Sequence, residues 1–164
     1  LVGPGVADVD IGVDAGALRL VQGGRQAAVL LAKMEIFDDE VAARIRLGAR
    51  YTELIVEAFG KDSTRVRAPF IDPHNTSVYA QYTVEVGGRE FVETRMKAQG
   101  VPTAVHYPLP LHLQPVFAHL GQGEGSFPVS EAAARRVISL PMHPYLSDAD
   151  QIKVVSALQE SVAA

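Results

Sequence analysis

Residues 104–112 of the chain read AVHYPLPLH. A short apolar run, residues 101–105, leads into this stretch, and two prolines then stop regular structure. Proline fixes φ, lacks an N–H and biases the residue before it toward an extended backbone. The pattern predicts a strand end that holds His106, Tyr107 and His112 stiffly near one another. A rigid surface loop with incidental aromatic side chains is the alternative.

Composition limits the class of protein. The 164 residues suit one domain, and 48% hydrophobic and 21% charged residues are ordinary for a globular fold. The formal net charge of −4 comes without a basic patch, so nucleic acid is not expected as a partner. No apolar run approaches the roughly 20 residues of a membrane helix, so a membrane is not expected either. The chain has no cysteine, which excludes disulfides and fits a cytoplasmic location.

The N-terminal 25 residues differ from the rest. They contain six glycines and predict loop, with a possible edge strand where apolar residues alternate with aspartates at 9–13. Their aspartates and the lack of a basic start argue against a signal peptide. The chain also lacks an initiator methionine, so we expect it to be a piece of a longer protein. We place a domain boundary here, with a poorly matching segment 1–25 and a folded domain 26–164.

The rest of the chain alternates helical and extended patterns. Residues 26–37, QAAVLLAKMEIF, predict a helix that continues to about Phe59 with one break near Asp38. Ser147 and Asp150 resemble a capping box that opens a last helix. The other predicted elements are a strand at 78–86, a helix at 89–99, a strand at 101–106, a short helix at 113–120, a helix at 130–140 and an extended segment at 140–145.

Several kinds of chemical site are not supported by the motifs. The five histidines lack the helical spacing and supporting carboxylate of a metal site, so no metal is expected. Phosphate-binding glycine loops and a serine-nucleophile elbow are absent. Nothing around the four lysines predicts the dry pocket that a Schiff-base lysine needs. These lysines are Lys33, Lys61, Lys97 and Lys153.

Several motifs in succession resemble the C-terminal part of the DegT/DnrJ/EryC1/StrS aminotransferase family. They are residues 26–37, HNTSVYAQYTV at 74–84, AVHYPLPLH at 104–112 and FPVSEAAARRVISLPMHPYL at 127–146, followed by the closing helix. Within the family, the resemblance is nearest to the branch that aminates C3 of a UDP-linked 3-keto-hexuronic acid for bacterial surface polysaccharide. Because the motifs occur in the family's order over about residues 26–164, together they are specific.

The resemblance implies an α+β fold, the small C-terminal domain of a type I aminotransferase, with a short, mainly antiparallel sheet covered by helices. It also implies pyridoxal phosphate as the cofactor of the intact enzyme. The family's cofactor-holding lysine and the aspartate that pairs with the pyridine nitrogen belong to the large domain and have no counterpart here. At the N-terminus, Asp14 replaces the family's asparagine, so neither Asp14 nor Arg19 receives a cofactor role. We therefore expect no catalytic residue and no bound cofactor in this chain.

His106 and Tyr107 match the family's turn, and the resemblance implies that they contact the substrate sugar. The alternative is that Tyr107 only packs and His106 bonds the backbone. The leading hypothesis is a fragment or truncated relative of a nucleotide-sugar aminotransferase, inactive alone, with a nucleotide sugar as a possible ligand. The alternative is a non-catalytic module that self-associates or binds a ligand. We expect a homo-oligomer, because losing a large domain uncovers apolar surface.

Overall fold

The computed structural model describes residues 26–163 of the chain. The edge strand predicted at 9–13, like Asp14 and Arg19, lies outside the described residues. The domain boundary expected between residues 25 and 26 stays a prediction. No helix in the described part of the chain is long and apolar enough to span a membrane.

The chain divides into two compact units, Leu1–Asp39 and Glu40–Ala164. In the first unit, residues 26–34 are helical and a turn follows at residues 35 and 36. The predicted helix is therefore confirmed over most of its length, and its break lies close to the expected position. Four of its large apolar side chains are exposed, namely Val29, Leu30, Leu31 and Met34.

Helix α1 spans Phe37–Phe59. Leu47, Tyr51 and Ile55 are buried on it, and their spacing of four residues places them on one face. The helix ends where Gly60 adopts φ 87° and donates its N–H to the carbonyl oxygen of Val56 at 2.9 Å. A glycine in this conformation is a common way to end a helix.

A three-stranded antiparallel sheet lies at the centre of the second unit. Its strands are β1 (Val66–Arg67), β2 (Tyr82–Val86) and β3 (Val137–Leu140), in the order β1-β2-β3. In β2 the residues facing the core alternate with partly exposed ones, as expected for a sheet with one buried face. The register pairs Val84 with Ile138. The expected α+β class with a short antiparallel sheet is confirmed.

Three helices complete the unit: α2 (Arg89–Ala98), α3 (Pro128–Arg136) and α4 (Asp148–Val162). Side-chain amides link the helical layer. Gln151 on α4 donates to the carbonyl oxygen of Leu47 at 2.9 Å, and Gln99 donates to Ser161 Oγ at 3.2 Å. The core consists of Tyr51, Ile55, Val66, Tyr82, Val84, Val86, Val92, Met96, Val101, Ile138, Leu140, Val154, Val155, Ala157 and Leu158.

Ser147 caps α4 as predicted, but the Asp150 carboxylate bonds the Ser147 hydroxyl and not its backbone N–H, as a full capping box would. Ser147 Oγ accepts the N–H of Asp150 at 3.1 Å and donates to the Asp150 carboxylate at 2.6 Å. The hydrogen bond from Ser147 lowers the pKa of Asp150. The capped helix packs Val154 and Leu158 into the core.

The structure corrects the predicted helix at 130–140. Helix α3 ends at Arg136, and the next four residues form β3. Ile138 is fully buried, and β-branched side chains fit a pleated surface well. Pairing with β2 supplies the backbone hydrogen bonds that a longer helix would have made.

Two predicted strands are shorter than expected, and the predicted short helix has tighter geometry. The strand expected at 78–86 begins only at Tyr82. The strand expected at 101–106 is reduced to one bridge between Ala104 and Ser139, because Pro102 has no N–H to donate. Instead of one helix at 113–120 there are two 3₁₀ turns, Leu111–Leu113 and Pro115–Leu120.

One buried carboxylate fixes the segment that follows the prolines. Glu131 on α3 is 8% exposed, and its carboxylate accepts the N–H groups of Gly125 at 2.9 Å and Phe127 at 3.2 Å. The same carboxylate lies 3.1 Å from His112 Nε2, and the His112 ring packs on Phe127 at 4.8 Å between ring centroids. Glu131 therefore ties the proline loop and the turn before α3 to the helix itself.

Glu131→Gln is expected to lower the thermal midpoint by a few degrees at neutral pH. The midpoint of the variant should also fall less than that of the wild type as the pH is lowered. The N–H of Gly125, then that of Phe127 and the ring of His112, hold the pKa of Glu131 below its ordinary value of 4.5. Because the pKa is lower in the folded chain than in the unfolded one, this carboxylate stabilises the fold fully above its ordinary pKa of 4.5. That stabilisation is lost as the pH falls through the lowered pKa. Thermal melts recorded from neutral pH down to about pH 3 measure it.

The matched control is Glu124→Gln, which neutralises an exposed carboxylate in the neighbouring loop. It should leave both the midpoint and the slope with pH close to those of the wild type. Parallel pH curves for the two variants would contradict the anchoring role of Glu131.

Candidate functional site

His106 and Tyr107 lie directly after the bridge that joins Ala104 to the sheet. That bridge consists of two backbone hydrogen bonds between Ala104 and Ser139, of 3.2 and 2.7 Å. The two rings meet edge to face with centroids 6.0 Å apart, and their peptide bond is cis. Both side chains are exposed, Tyr107 by 73%. Both residues are therefore accessible at the end of the segment that bridges to β3.

A shallow open depression of about 250 Å³ lies beside them. His106 contributes to its lining, whereas Tyr107 stands at 73% exposure outside the lining. Three segments form the walls: the residues before β2, the segment around the bridge, and the end of β3 with the residues after it. The lining residues are Ala80, Gln81, Pro102, Thr103, Ala104, His106, Ser139, Leu140, Pro141 and Met142.

Hydroxyl groups fix the strands behind this depression. Ser139 Oγ lies 2.8 Å from Thr83 Oγ1 across the β2–β3 pair. Tyr82 shares a hydrogen bond of 2.8 Å with Thr52, and Tyr51 donates to the carbonyl oxygen of Pro141 at 3.0 Å. Burial raises the pKa of both tyrosines well above the ordinary value. These phenols therefore act as neutral hydrogen-bonding groups: Tyr51 ties the end of β3 to α1, and Tyr82 ties β2 to α1.

The surface of this depression is mainly apolar, with a few neutral polar side chains among the lining residues. It offers the imidazole of His106, the amide of Gln81 and the hydroxyl of Thr103, together with apolar contact. Such groups can donate to and accept from hydroxyls. No lysine or arginine lines the depression, so the lining itself provides no strong binding of a phosphate.

His112 is not part of this site. The sequence predicted that it would lie near His106 and Tyr107, but its ring is bound to the buried carboxylate of Glu131. The reason is the pair of 3₁₀ turns after the prolines, which direct this segment toward α3. His112 is therefore an anchor of the loop.

Sequence reasoning missed two contributors to the site and its support. One is Glu131, whose only signal was an acidic residue in the first turn of a helix. The other is Tyr79, which has φ 45° and lies directly before the wall residues Ala80 and Gln81. A glycine in the middle of a long helix, Gly48, was the available signal for Tyr79, because a methyl group there would overlap the Tyr79 ring.

The lysines do not fit the cofactor that the resemblance implies. A lysine that holds pyridoxal phosphate covalently needs a desolvated pocket that lowers its pKa. All four lysines of the chain, Lys33, Lys61, Lys97 and Lys153, lie among the described residues and are exposed. Within residues 26–163, no three histidine, aspartate or glutamate side chains group closely enough to hold a metal ion.

Comparison with known proteins finds a matching family model and similar individual proteins. The model of the DegT/DnrJ/EryC1/StrS aminotransferase family matches residues 24–159. A UDP-2-acetamido-2-deoxy-3-oxo-D-glucuronate aminotransferase of Pseudomonas aeruginosa is 48% identical over 132 residues, which are 80% of this chain and 34% of that protein. A pleiotropic regulatory protein of Geobacillus stearothermophilus is 42% identical over 82% of this chain and 36% of its own length.

Solved structures agree. A DegT/DnrJ/EryC1/StrS aminotransferase from Brucella abortus superposes with a TM-score of 0.73 at 39% identity, over 85% of this chain and 35% of that one. DesV of Streptomyces venezuelae, solved in complex with a ketimine intermediate, gives a TM-score of 0.76 at 31% identity, over 85% and 36%. This chain thus spans about a third of the length of the curated relatives it matches. The resemblance read from the motifs is confirmed: the chain belongs to the DegT/DnrJ/EryC1/StrS aminotransferase family.

Proposed function

We propose that this chain is the C-terminal, small-domain part of an aminotransferase that aminates a UDP-linked 3-keto-hexuronic acid. The single observation that carries the proposal is the 48% identity, over 132 residues, to an aminotransferase named for such a substrate. In the intact enzyme the amino group would pass from a donor such as glutamate to C3 of the sugar. The product would serve surface polysaccharide synthesis.

His106 and Tyr107 would contact the sugar ring in this role. Both side chains are exposed and free to meet a ligand, and an imidazole and a phenol can bind sugar hydroxyls and a uronic carboxylate. The adjoining depression offers further neutral hydrogen-bonding groups. The chain would supply one wall of the substrate site, and residues outside it would supply the rest. The cytoplasmic location expected from the composition stays a prediction.

The chain alone is proposed to be inactive as a transaminase. The family depends on pyridoxal phosphate, and the cofactor supplies the chemistry of amino transfer when it is bound. Because every lysine here is exposed, none is desolvated enough to hold the cofactor aldehyde as an active-site lysine does. The present residues can bind and orient a sugar.

Isothermal titration of the chain with a UDP-linked 2-acetamido-hexuronic acid is expected to show saturable binding. His106→Ala and Tyr107→Phe should each weaken it about threefold to tenfold, which corresponds to the loss of one hydrogen bond. His74→Ala, which removes an exposed imidazole from another loop, is the matched control and should bind like the wild type. UDP alone separates the nucleotide's contribution from that of the sugar. Equal affinities for the His106 and His74 variants, or no heat for the wild type, would refute the assignment.

Treatment with pyridoxal phosphate followed by borohydride is expected to give only scattered, substoichiometric labelling of the lysines. Exposed lysines lack the environment that favours one imine over the others. Peptide mass spectrometry measures the distribution, and the chain unfolded in urea is the control, with a similar distribution expected. One lysine labelled stoichiometrically in the folded chain alone would overturn the proposed inactivity.

A second candidate function, self-association, is favoured by apolar side chains on the segment from the proline loop to α3. Leu111, Leu120 and Phe127 line one apolar cavity of about 330 Å³, and each is more than 40% exposed. Soluble monomers rarely expose large contiguous apolar patches. We propose a homo-oligomer that covers this surface.

Light scattering is expected to show a mass that rises from one chain toward two as the concentration increases. Leu111→Ser should shift the association to higher concentration, because it removes apolar area from the surface. Ile152→Ser, an exposed position on α4, is the control and should associate like the wild type. A single-chain mass at every concentration would exclude self-association.

A further inference from the structure

Tyr79 has an uncommon backbone conformation at a place next to the depression. Its φ is 45°, which lies in the left-handed region. Bulky side chains such as tyrosine seldom adopt this region, whereas glycine, asparagine and aspartate do so more often. The two residues that follow it, Ala80 and Gln81, form one wall of the depression. Residues in sparsely populated conformations persist only where surrounding contacts hold them, and they cluster at functional sites.

Contacts from α1 hold Tyr79 in this conformation. Its ring lies against Gly48 so closely that a methyl group at position 48 would overlap it. Arg44 Nη1 donates to the carbonyl oxygen of Tyr79 at 3.2 Å. The Tyr79 ring also packs at an angle against Tyr82, with centroids 5.5 Å apart.

The amino acids at these positions are costly for the fold itself. Glycine in the middle of a helix is destabilising relative to alanine, and Gly48 is buried inside α1. Positive φ is a second cost at Tyr79. Residues 68–80 have no regular secondary structure, so strand hydrogen bonds do not fix the chain before the wall. The contact between Tyr79 and Gly48 fixes it instead.

We propose that Tyr79, seated on Gly48 and held by Arg44, is a positioning residue that fixes Ala80 and Gln81 as the wall of the sugar site. The proposal rests on the proposed function for the identity of the ligand. Tyr79 itself does not need to touch the sugar. Its ring and carbonyl fix the direction in which the chain enters β2, and hence where the amide of Gln81 stands relative to His106.

A bump-and-hole set of variants tests this role. Gly48→Ala introduces the overlapping methyl group, and Tyr79→Gly removes the ring while permitting positive φ. The double variant removes the overlap again. Tyr79→Phe keeps the ring. Gly87→Ala adds a methyl group in open space and is the matched control for Gly48→Ala.

The expected result separates affinity from stability. Gly48→Ala should lower both the thermal midpoint and the affinity for the UDP-linked hexuronic acid, the latter about threefold to tenfold, as for the loss of one hydrogen bond from a displaced Gln81 amide. The double variant should recover the midpoint relative to Gly48→Ala, because the overlap is gone and alanine favours the helix. It should keep the weak affinity, because nothing then fixes the wall. Tyr79→Phe and Gly87→Ala should bind like the wild type.

Two outcomes would overturn the proposal. If the double variant recovered affinity together with stability, Tyr79 would be a packing residue only. If ¹⁵N relaxation showed Ala80 and Gln81 as ordered in Tyr79→Gly as in the wild type, the ring would not position the wall. The relaxation measurement needs no ligand, so it decides the positioning claim even if the wild type fails to bind the sugar. That failure would refute the sugar-binding role proposed for His106 and Tyr107 in this chain.

Discussion

The antiparallel pairing of β2 with β3 is the constraint on which the rest of the domain depends. It joins four consecutive residue pairs, from Tyr82–Leu140 to Glu85–Val137. Its buried side chains form the floor on which α1, α2 and α4 place their apolar faces. The free side of β3 then accepts Ala104, and that single bridge sets His106 and Tyr107 at the rim of the depression. Without this pair of strands, the helices would have no sheet to pack on and Ala104 would have no strand to pair with.

Local signals in the sequence were sufficient where a neighbouring residue decides the structure. The Ser147 and Asp150 pair located the start of α4, and the glycines before and after α2 located its ends. Local signals failed where the deciding partner is distant. Residues 137–140 continue a helix by composition, and only β2, more than fifty positions earlier, makes them a strand. His112 met its partner Glu131 nineteen positions later, which no spacing rule indicated.

The candidate site, too, could be predicted from the sequence only in part. His106 and Tyr107 were found because two prolines follow them directly. The opposite wall was not found, because Tyr79 takes its conformation from Gly48, thirty-one positions earlier in α1. The exposed lysines and the one-third span of the relatives point in the same direction. Both observations fit the proposal that this chain would supply one side of a substrate site and that residues outside it would supply the rest.

The distance along the chain between the paired strands also has a kinetic consequence. Tyr82 pairs with Leu140, so the two strands meet only after a loop of more than fifty residues has closed. Loop closure costs entropy before any contact repays it, and topologies rich in such remote contacts fold slowly. Helices α1, α2 and α4 need no such search. During synthesis, α1 and α2 would therefore be complete before β3 exists. Until residues 137–140 are made, the edge of β2 that pairs with them keeps its backbone N–H and C=O groups without their strand partners.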